Sequence, residues 1–236
     1  MAGKSVRENW LEIQAEMNTA LARSGRTGDS AKIVGVAKGQ SIARVQEAVA
    51  AGLKIVGENY VQEYLRKVSL LGDSQLEWHF VGHIQSNKVR DLVGKVDLIH
   101  SVDRVNIAQL IGQRAAAQNL IQKILVEINI DDEPNKSGID FREGRSFLEV
   151  LQKIDGIKIC GLMALPAPGR LPEETRRGFA RLRQMREEWT SEVSGGSAGH
   201  HLHELSMGTS QDFQYALEEG ATYIRLGTRL FGERQG

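Results

Sequence analysis

The sequence predicts an α/β fold: a single-domain (β/α)8 TIM-type barrel over residues 1–236, with one extra helix ahead of it. Three observations carry that expectation. Eight short apolar runs alternate with segments of helical period, which implies parallel strands joined by helices. Most of these runs are apolar throughout, as strands covered by helices on one face and by core on the other must be. The Gly-x-Gly-x-x-Gly turn that an open dinucleotide-binding sheet carries after its first strand is missing, and 236 residues leave nothing over for a second domain.

The opening helix follows from Ser5-Val6-Arg7-Glu8, which fits a capping box, and from Val6, Trp10, Ile13, Met17 and Leu21 at helical spacing, with Gly25 and Gly28 to end it. The first strand is Ile33 to Gln40, and Ser41 caps a helix running to Gly52. Ile55 to Glu58 is the second strand, followed by Asn59 and a helix through Leu71. Trp78 to Gly82 is the third, with a helix from Ser86 to Val93; Leu98 to Ser101 is the fourth, with Asp103 as cap of a helix to about Gln118.

Lys123 to Ile130 reads as the fifth strand, Asp131 to Asp140 as loop, and Phe141 to Ile154 as helix. The sixth strand, Ile157 to Met163, is followed by Pro166-Ala167-Pro168-Gly169 and a helix from Glu173 to Val193. Ser194 to Gly199 has the composition of a flexible surface loop. His203 to Met207 is the seventh strand, Ser210 caps a helix to Gly220, and Tyr223 to Gly227 is the eighth.

Composition narrows the function. Lysines plus arginines number 30 and so do aspartates plus glutamates, a balance that points to neither nucleic acid nor an anionic membrane. Cys160 is the only cysteine, so no internal disulfide forms, and a cytoplasmic setting is expected. No run is apolar and long enough for a signal peptide core or a membrane span.

The chemistry centres on Lys38. Alternation along the first strand would put its ammonium on the face of Val34 and Val36. An unpaired charge there is costly, and lysine escapes the cost by losing its proton, pairing with an anion or condensing with an aldehyde. The plain alternative is that its stem lies along apolar surface while the ammonium reaches water.

In barrels the loops after strands seven and eight commonly hold phosphate. Here those loops are Ser206-Met207-Gly208-Thr209-Ser210 and Gly227-Thr228-Arg229, which supply hydroxyls, glycines and helix N-termini. Arg225 shares a face with Gly227, which would place a permanent cation inside the barrel mouth. It would either satisfy a buried carboxylate such as Glu127 or Glu204, or donate to an aromatic ring nitrogen of a cofactor. A Schiff-base lysine, a phosphate cup and that arginine together specify a phosphorylated aldehyde with a ring nitrogen, and pyridoxal 5′-phosphate fits.

The chain resembles the pyridoxal phosphate homeostasis proteins, which share a barrel with the N-terminal domain of alanine racemases. The resemblance is carried by Val36-Ala37-Lys38, Gly57-Glu58-Asn59-Tyr60-Val61-Gln62-Glu63, Trp78 to Gly82, Gln85-Ser86-Asn87-Lys88, Lys136-Ser137-Gly138, Gly161-Leu162-Met163, Leu205 to Ser210 and Arg225 to Thr228. It implies that Lys38 carries the aldimine, Asn59 lies beside the ring, and Arg225 faces the pyridine nitrogen. Ser206, Gly208, Thr209, Gly227 and Thr228 would hold the phosphate, with Met163 lining the pocket. Gly39 departs from the pattern, standing where many relatives have threonine or another polar residue.

Other groups have plainer readings. His79 reads as a hydrogen-bonded core histidine and His83 as a pocket-edge group; His200, His201 and His203 lack a ligand spacing for metal and read as flexible surface residues. Cys160 is expected to pack against outer helices as an unreactive thiol, and Lys136 either approaches the barrel mouth or is solvated.

The expected function is a non-enzymatic protein that buffers or delivers the cofactor for vitamin B6 and amino-acid homeostasis, with apo forms of pyridoxal phosphate enzymes as partners and a monomer or weak dimer as its state. The alternatives are a racemase of the alanine type and a class I aldolase-type barrel. The racemase needs a second proton-transfer group, which in that family is a tyrosine from another domain; no motif marks Tyr60, Tyr64, Tyr215 or Tyr223 for the role.

Overall fold

The computed structural model describes residues 4–27, 30–72, 75–131, 137–167, 169–193 and 198–233. Gly28, Lys136, Pro168 and residues 194–197 of the glycine-serine loop lie outside the described residues. In chain order the elements are α1 (Val6–Arg23), β1 (Lys32–Val36), α2 (Ile42–Ala51), β2 (Ile55–Glu58), α3 (Val61–Leu71), β3 (Glu77–Phe80) and a 3-10 turn (Ser86–Asp91). There follow β4 (Leu98–Val102), α4 (Val105–Ala116), β5 (Gln122–Asn129), β6 (Ile139–Asp140), α5 (Gly144–Leu151) and β7 (Ile157–Met163). The last are α6 (Pro172–Trp189), β8 (Glu204–Ser206), α7 (Phe213–Glu218), β9 (Tyr223–Leu226) and α8 (Thr228–Phe231).

The chain divides into two compact units, one of Met1–His79 with Met207–Gly236 and one of Phe80–Ser206. In the first, β1 lies between β2 and β9 and pairs parallel with both, Val36 opposite Gly57 and Val34 opposite Arg225. α1 begins with the capping box foreseen at Ser5 and Glu8 and buries Val6, Ile13, Met17 and Leu21. Asn9, on the same helix, donates its side-chain amide to the Leu230 carbonyl at 3.0 Å, which ties the helix to the far end of the chain. Ser41 caps α2 as expected, and Gly52 ends it at φ +121°.

In the second unit β5 pairs parallel with β4 and β7, and β7 pairs parallel with β8. Ile99, Ile124, Val126, Ile159 and Leu162 are fully buried on these strands, as are Ile107, Ile111, Phe179 and Leu182 on the covering helices. Strands apolar on both faces are thus met by helices, which is what their composition demanded.

Several boundaries differ from the sequence expectation. β1 stops at Val36, four residues short of the apolar-run end at Gln40. Residues 86–91 form a 3-10 turn rather than an α-helix. The expected loop after β5 contributes a two-residue strand, β6, paired parallel with Ile128 and Asn129. Asp103 does not cap α4: Arg104 holds the cap position, and the Asp103 carboxylate accepts from the Arg104 guanidinium at 3.0 Å. Ser210 does not cap α7 either, since Asp212 stands at that position. In both cases a nearby cation or backbone N–H captured the polar side chain that propensity alone assigned to the helix.

Candidate site at the ends of the first, second and ninth strands

Beyond β1 the chain turns. The Gln40 N–H donates to the Ala37 carbonyl at 2.9 Å and Gly39 has φ +70°. Among the described residues only Asn119 is a non-glycine with positive φ. Lys38 therefore occupies the first central position of a type II turn, with glycine at the second, where that turn requires positive φ. The simple alternation that aligned Lys38 with Val34 and Val36 does not extend this far. Gly39, a departure from the family pattern in sequence, is the residue the turn geometry demands.

Parallel register then gathers the neighbours. Val36 lies opposite Gly57, so Asn59 follows just past the end of β2; Gly35 lies opposite Leu226, so Gly227 follows just past β9. Lys38, Asn59 and Gly227 thus sit at the C-terminal ends of three adjacent strands, the end at which barrel sites form. Arg225 is 6% exposed on β9, in register with Val34. A Cβ placed on Gly227 would find within 4 Å only the Val36 carbonyl, at 3.6 Å, so the backbone is open on that side. The Asn59 Oδ1 is buried with no hydrogen-bond partner among the described residues. A buried acceptor in that state awaits a donor.

The segment Met207 to Ser210 lies against β9: the Met207 N–H donates to the Tyr223 carbonyl at 3.1 Å and the Arg225 N–H to the Gly208 carbonyl at 2.9 Å. Gly208 has φ +92° and packs so closely on α7 that a Cβ there would come within 2.5 Å of the Ala216 Cβ. The Thr209 N–H and hydroxyl both donate to Asp212 Oδ1, at 2.5 and 3.0 Å. The Ser210 hydroxyl accepts the Arg229 N–H at 3.2 Å and so joins this turn to the start of α8. Thr228, the first residue of α8, is exposed.

Around Lys38 the side chains of α3 add a feature the sequence reading missed. Lys67 Nζ donates to Glu58 Oε1 at 2.6 Å, to the Ala37 carbonyl at 2.9 Å and to Glu63 Oε2 at 3.0 Å. Burial pushes the Glu58 carboxyl up to about 7, against the pull of Lys67, and its Oε2 has no hydrogen-bond partner among the described residues. Burial also acts upward on Glu63, but the Gly39 N–H and the Lys67 ammonium outweigh it and hold that carboxyl below its ordinary range. Helical spacing does place Lys67 four residues after Glu63, yet such pairs are normally solvated, and nothing in the sequence marks this one as buried.

Two sequence-nominated residues belong to the second unit. Met163 ends β7, buried, in register with Glu127 and with Ser206, so the three share a face. Ser206 is fully buried, and its hydroxyl meets His100 Nδ1 at 2.8 Å. His100, wholly buried on β4, went unread because it follows two apolar residues in a short strand.

The remaining histidines divide. His79 is buried, edge-on to the Tyr223 ring at 5.3 Å, as a core histidine. The exposed His83 Nε2 lies 3.1 Å from the Arg104 guanidinium. His200 is not a surface residue: it is buried, its Nδ1 accepts the Ile159 N–H at 3.2 Å, and burial lowers its pKa. His201 and His203 stack at 4.5 Å. No cluster of three metal-ligating groups occurs among the described residues. Cys160 is buried, and burial pushes its thiol up to about 11, which suits a packed, inert side chain.

Comparison with known proteins identifies the family. The family model described as alanine racemase, N-terminal domain, matches residues 6–235. A pyridoxal phosphate homeostasis protein of Aquifex aeolicus is 41% identical over 228 residues, 97% of this chain and 98% of the relative. One of Pseudomonas aeruginosa is 36% identical over 230 residues, 98% of this chain and 96% of its own. The structure of PipY from Synechococcus elongatus with pyridoxal phosphate bound superposes with a TM-score of 0.84 at 33% identity, covering 97% of this chain and all of that one. Alanine racemase of Corynebacterium glutamicum, at 16% identity and a TM-score of 0.70, shares the fold, with 95% of this chain matched to 62% of the racemase. The chain belongs to the pyridoxal phosphate homeostasis proteins and has the (β/α)8 barrel fold of the alanine racemase N-terminal domain.

Proposed function

We propose that this member of the family binds pyridoxal 5′-phosphate and buffers or delivers it in the cytoplasm, as a carrier rather than an enzyme, with residues 1–236 acting as one binding domain. What supports the reading most is the convergence of Lys38, Asn59 and Gly227 on one edge of β2, β1 and β9, with the buried Arg225 cation in the same layer of strands. The residues fit the group. The unpartnered Asn59 Oδ1 and the open backbone at Gly227 are features an intact site would present to a polar ligand.

When bound, the cofactor would supply an aldehyde able to condense with amines. Lys38 would hold that aldehyde; Gly208, Thr209, Gly227 and Thr228, with Ser206, would hold the phosphate; Asn59 and Met163 would flank the ring. Arg225 would face the ring nitrogen, where amino-acid chemistry usually calls for a carboxylate, and its guanidinium would disfavour a proton there and weaken the ring as an electron sink. Apo enzymes that use the cofactor are the partners this implies, with neither nucleic acid nor membrane and with a monomer or weak dimer as the working state. No helix of the described residues is long and apolar enough to cross a membrane.

Purified protein tests the reading directly. Titration with pyridoxal phosphate should give a visible absorption band that Lys38→Ala abolishes, and loaded protein should activate an apoenzyme. A colourless, fully loaded wild type would sink it. Lys38-dependent deuterium exchange at the α-carbon of L-alanine would overturn the carrier assignment in favour of the racemase.

A further inference from the structure

Lys67 lies on α3 with its side chain 5% exposed, and its three hydrogen bonds go to none of the residues nominated to hold the ligand. An ammonium has three protons to donate, and here three acceptors meet it: Glu58 Oε1 at 2.6 Å, the Ala37 carbonyl at 2.9 Å and Glu63 Oε2 at 3.0 Å. The pairing is thus complete on the cation's side. One of its acceptors reaches further: Glu63 Oε2 also accepts the Gly39 N–H at 2.8 Å.

The two backbone groups so gripped flank one residue. Ala37 precedes Lys38 and Gly39 follows it, so the peptide units on both sides of Lys38 are tied to a single ammonium–carboxylate pair. The Ala37 carbonyl accepts from Gln40 as well, which closes the turn about the same point. Pairing β2 with α3 would need only the Glu58 to Lys67 contact. The additional bonds to Ala37 and Gly39 add nothing to that link; what they fix is the turn.

We propose that Lys67, acting with Glu63, is a positioning residue that sets the direction in which Lys38 presents its amine to an incoming aldehyde. The inference rests on the reading of Lys38 as the residue that holds pyridoxal phosphate. A side chain held within a narrow range of approach reacts with its partner more readily than one that must first be ordered.

The test separates reaction at Lys38 from occupancy of the site. Pyridoxal phosphate is titrated by its Lys38-dependent visible absorption, and 4′-deoxypyridoxine phosphate, which keeps the ring and phosphate but has no aldehyde, is titrated by calorimetry. Glu63→Ala removes the Gly39 bond and leaves the buried Glu58–Lys67 pair, so the fold is expected to survive. It should weaken pyridoxal phosphate binding roughly tenfold, the loss appropriate to a charge-assisted hydrogen bond. Affinity for the deoxy analogue should change less than about twofold, since the analogue never engages Lys38 covalently.

Glu63→Gln, which keeps an acceptor for the Gly39 N–H, should restore most of the loss. Lys67→Arg keeps the charge but cannot direct three converging donors to the same points, and should show the same selective weakening. If Glu63→Ala leaves both ligands unchanged, or weakens both equally, the positioning role is wrong and the network only supports the fold. Should the wild type itself show no Lys38-dependent band, the failure belongs to the reading of the site, and it is seen before any variant is made.

Discussion

Two turns of the same unit are nominated to hold opposite ends of one ligand, and they are built in opposite ways. In the turn around Lys38 the Ala37 carbonyl and the Gly39 N–H are taken up by Lys67 and Glu63 of α3, while the lysine the turn carries is left half-buried at the strand end. In the turn from Met207 to Ser210 the N–H and hydroxyl of Thr209, two of the donors the phosphate would want, are occupied by the Asp212 carboxylate. On the proposed reading the first arrangement would ready a nucleophile, and the second would set a competitor in the place of the anion. The amine end would then be fixed before the ligand arrives, whereas the phosphate end would exchange one anion for another on binding and release.

The largest expected effect comes from breaking the second turn at Gly208. With φ +92°, and with a Cβ coming within 2.5 Å of the Ala216 Cβ and 3.0 Å of the Phe213 Cα, alanine at this position would be both strained and overpacked. The two penalties together are expected to cost about 3 kcal/mol in denaturant unfolding. Under conditions where Gly208→Ala remains folded, it should lose affinity for pyridoxal phosphate much more than for phosphate-free pyridoxal. Equal losses for the two ligands would show that the turns are not independent and erase the contrast.

The network under the first turn has a pH signature. Burial raises the Glu58 carboxyl from 4.5 to about 7 in the folded chain, so the folded state binds that proton more tightly than the unfolded state does. Its contribution is therefore whole below pH 4.5 and is lost as pH climbs through 7. Unfolding free energies measured in urea at intervals from pH 4.5 to 8 should show the wild type losing stability relative to Glu58→Gln, by an amount on the order of 3 kcal/mol. A wild-type-minus-variant difference that stays flat across that window would mean that the Lys67 pairing, not burial, governs the carboxyl.

How much of this was legible beforehand follows from the physics of each residue. All eight strands that the apolar runs indicated are present, because a strand buried on both faces leaves an unbroken record in composition. The ends of elements were less legible, since Asp103 is taken up by the guanidinium of its neighbour Arg104 and Ser210 by the backbone of Arg229, 19 positions on. Lys38 and the glycine turns could be nominated from chain order in a barrel, and Asn59 from the family resemblance, whereas Lys67 and His100 could not. A buried lysine looks like any solvated one until its carboxylates are placed around it, and His100 meets Ser206 across 106 positions of sequence. Gly39 shows the converse: what reads in sequence as a departure from the family pattern is, in the structure, the backbone requirement of the turn that carries Lys38.

The smallest effect bears most directly on why the two turns differ. Asp212 Oδ1 accepts both the N–H and the hydroxyl of Thr209, so a phosphate seeking those donors must displace a carboxylate of like charge. Asp212→Asn keeps an acceptor at the cap position of α7 and removes the charge, and its effect on stability should stay within a few tenths of a kcal/mol. Binding of inorganic phosphate and of pyridoxal phosphate should both tighten, by roughly three- to tenfold, with the gain appearing mainly as slower release. Asparagine-substituted protein should accordingly hand its cofactor to an apoenzyme more slowly than the wild type does. If release is unchanged while affinity rises, or if affinity falls, the carboxylate only closes the turn at Thr209 and the competition read from the geometry does not operate.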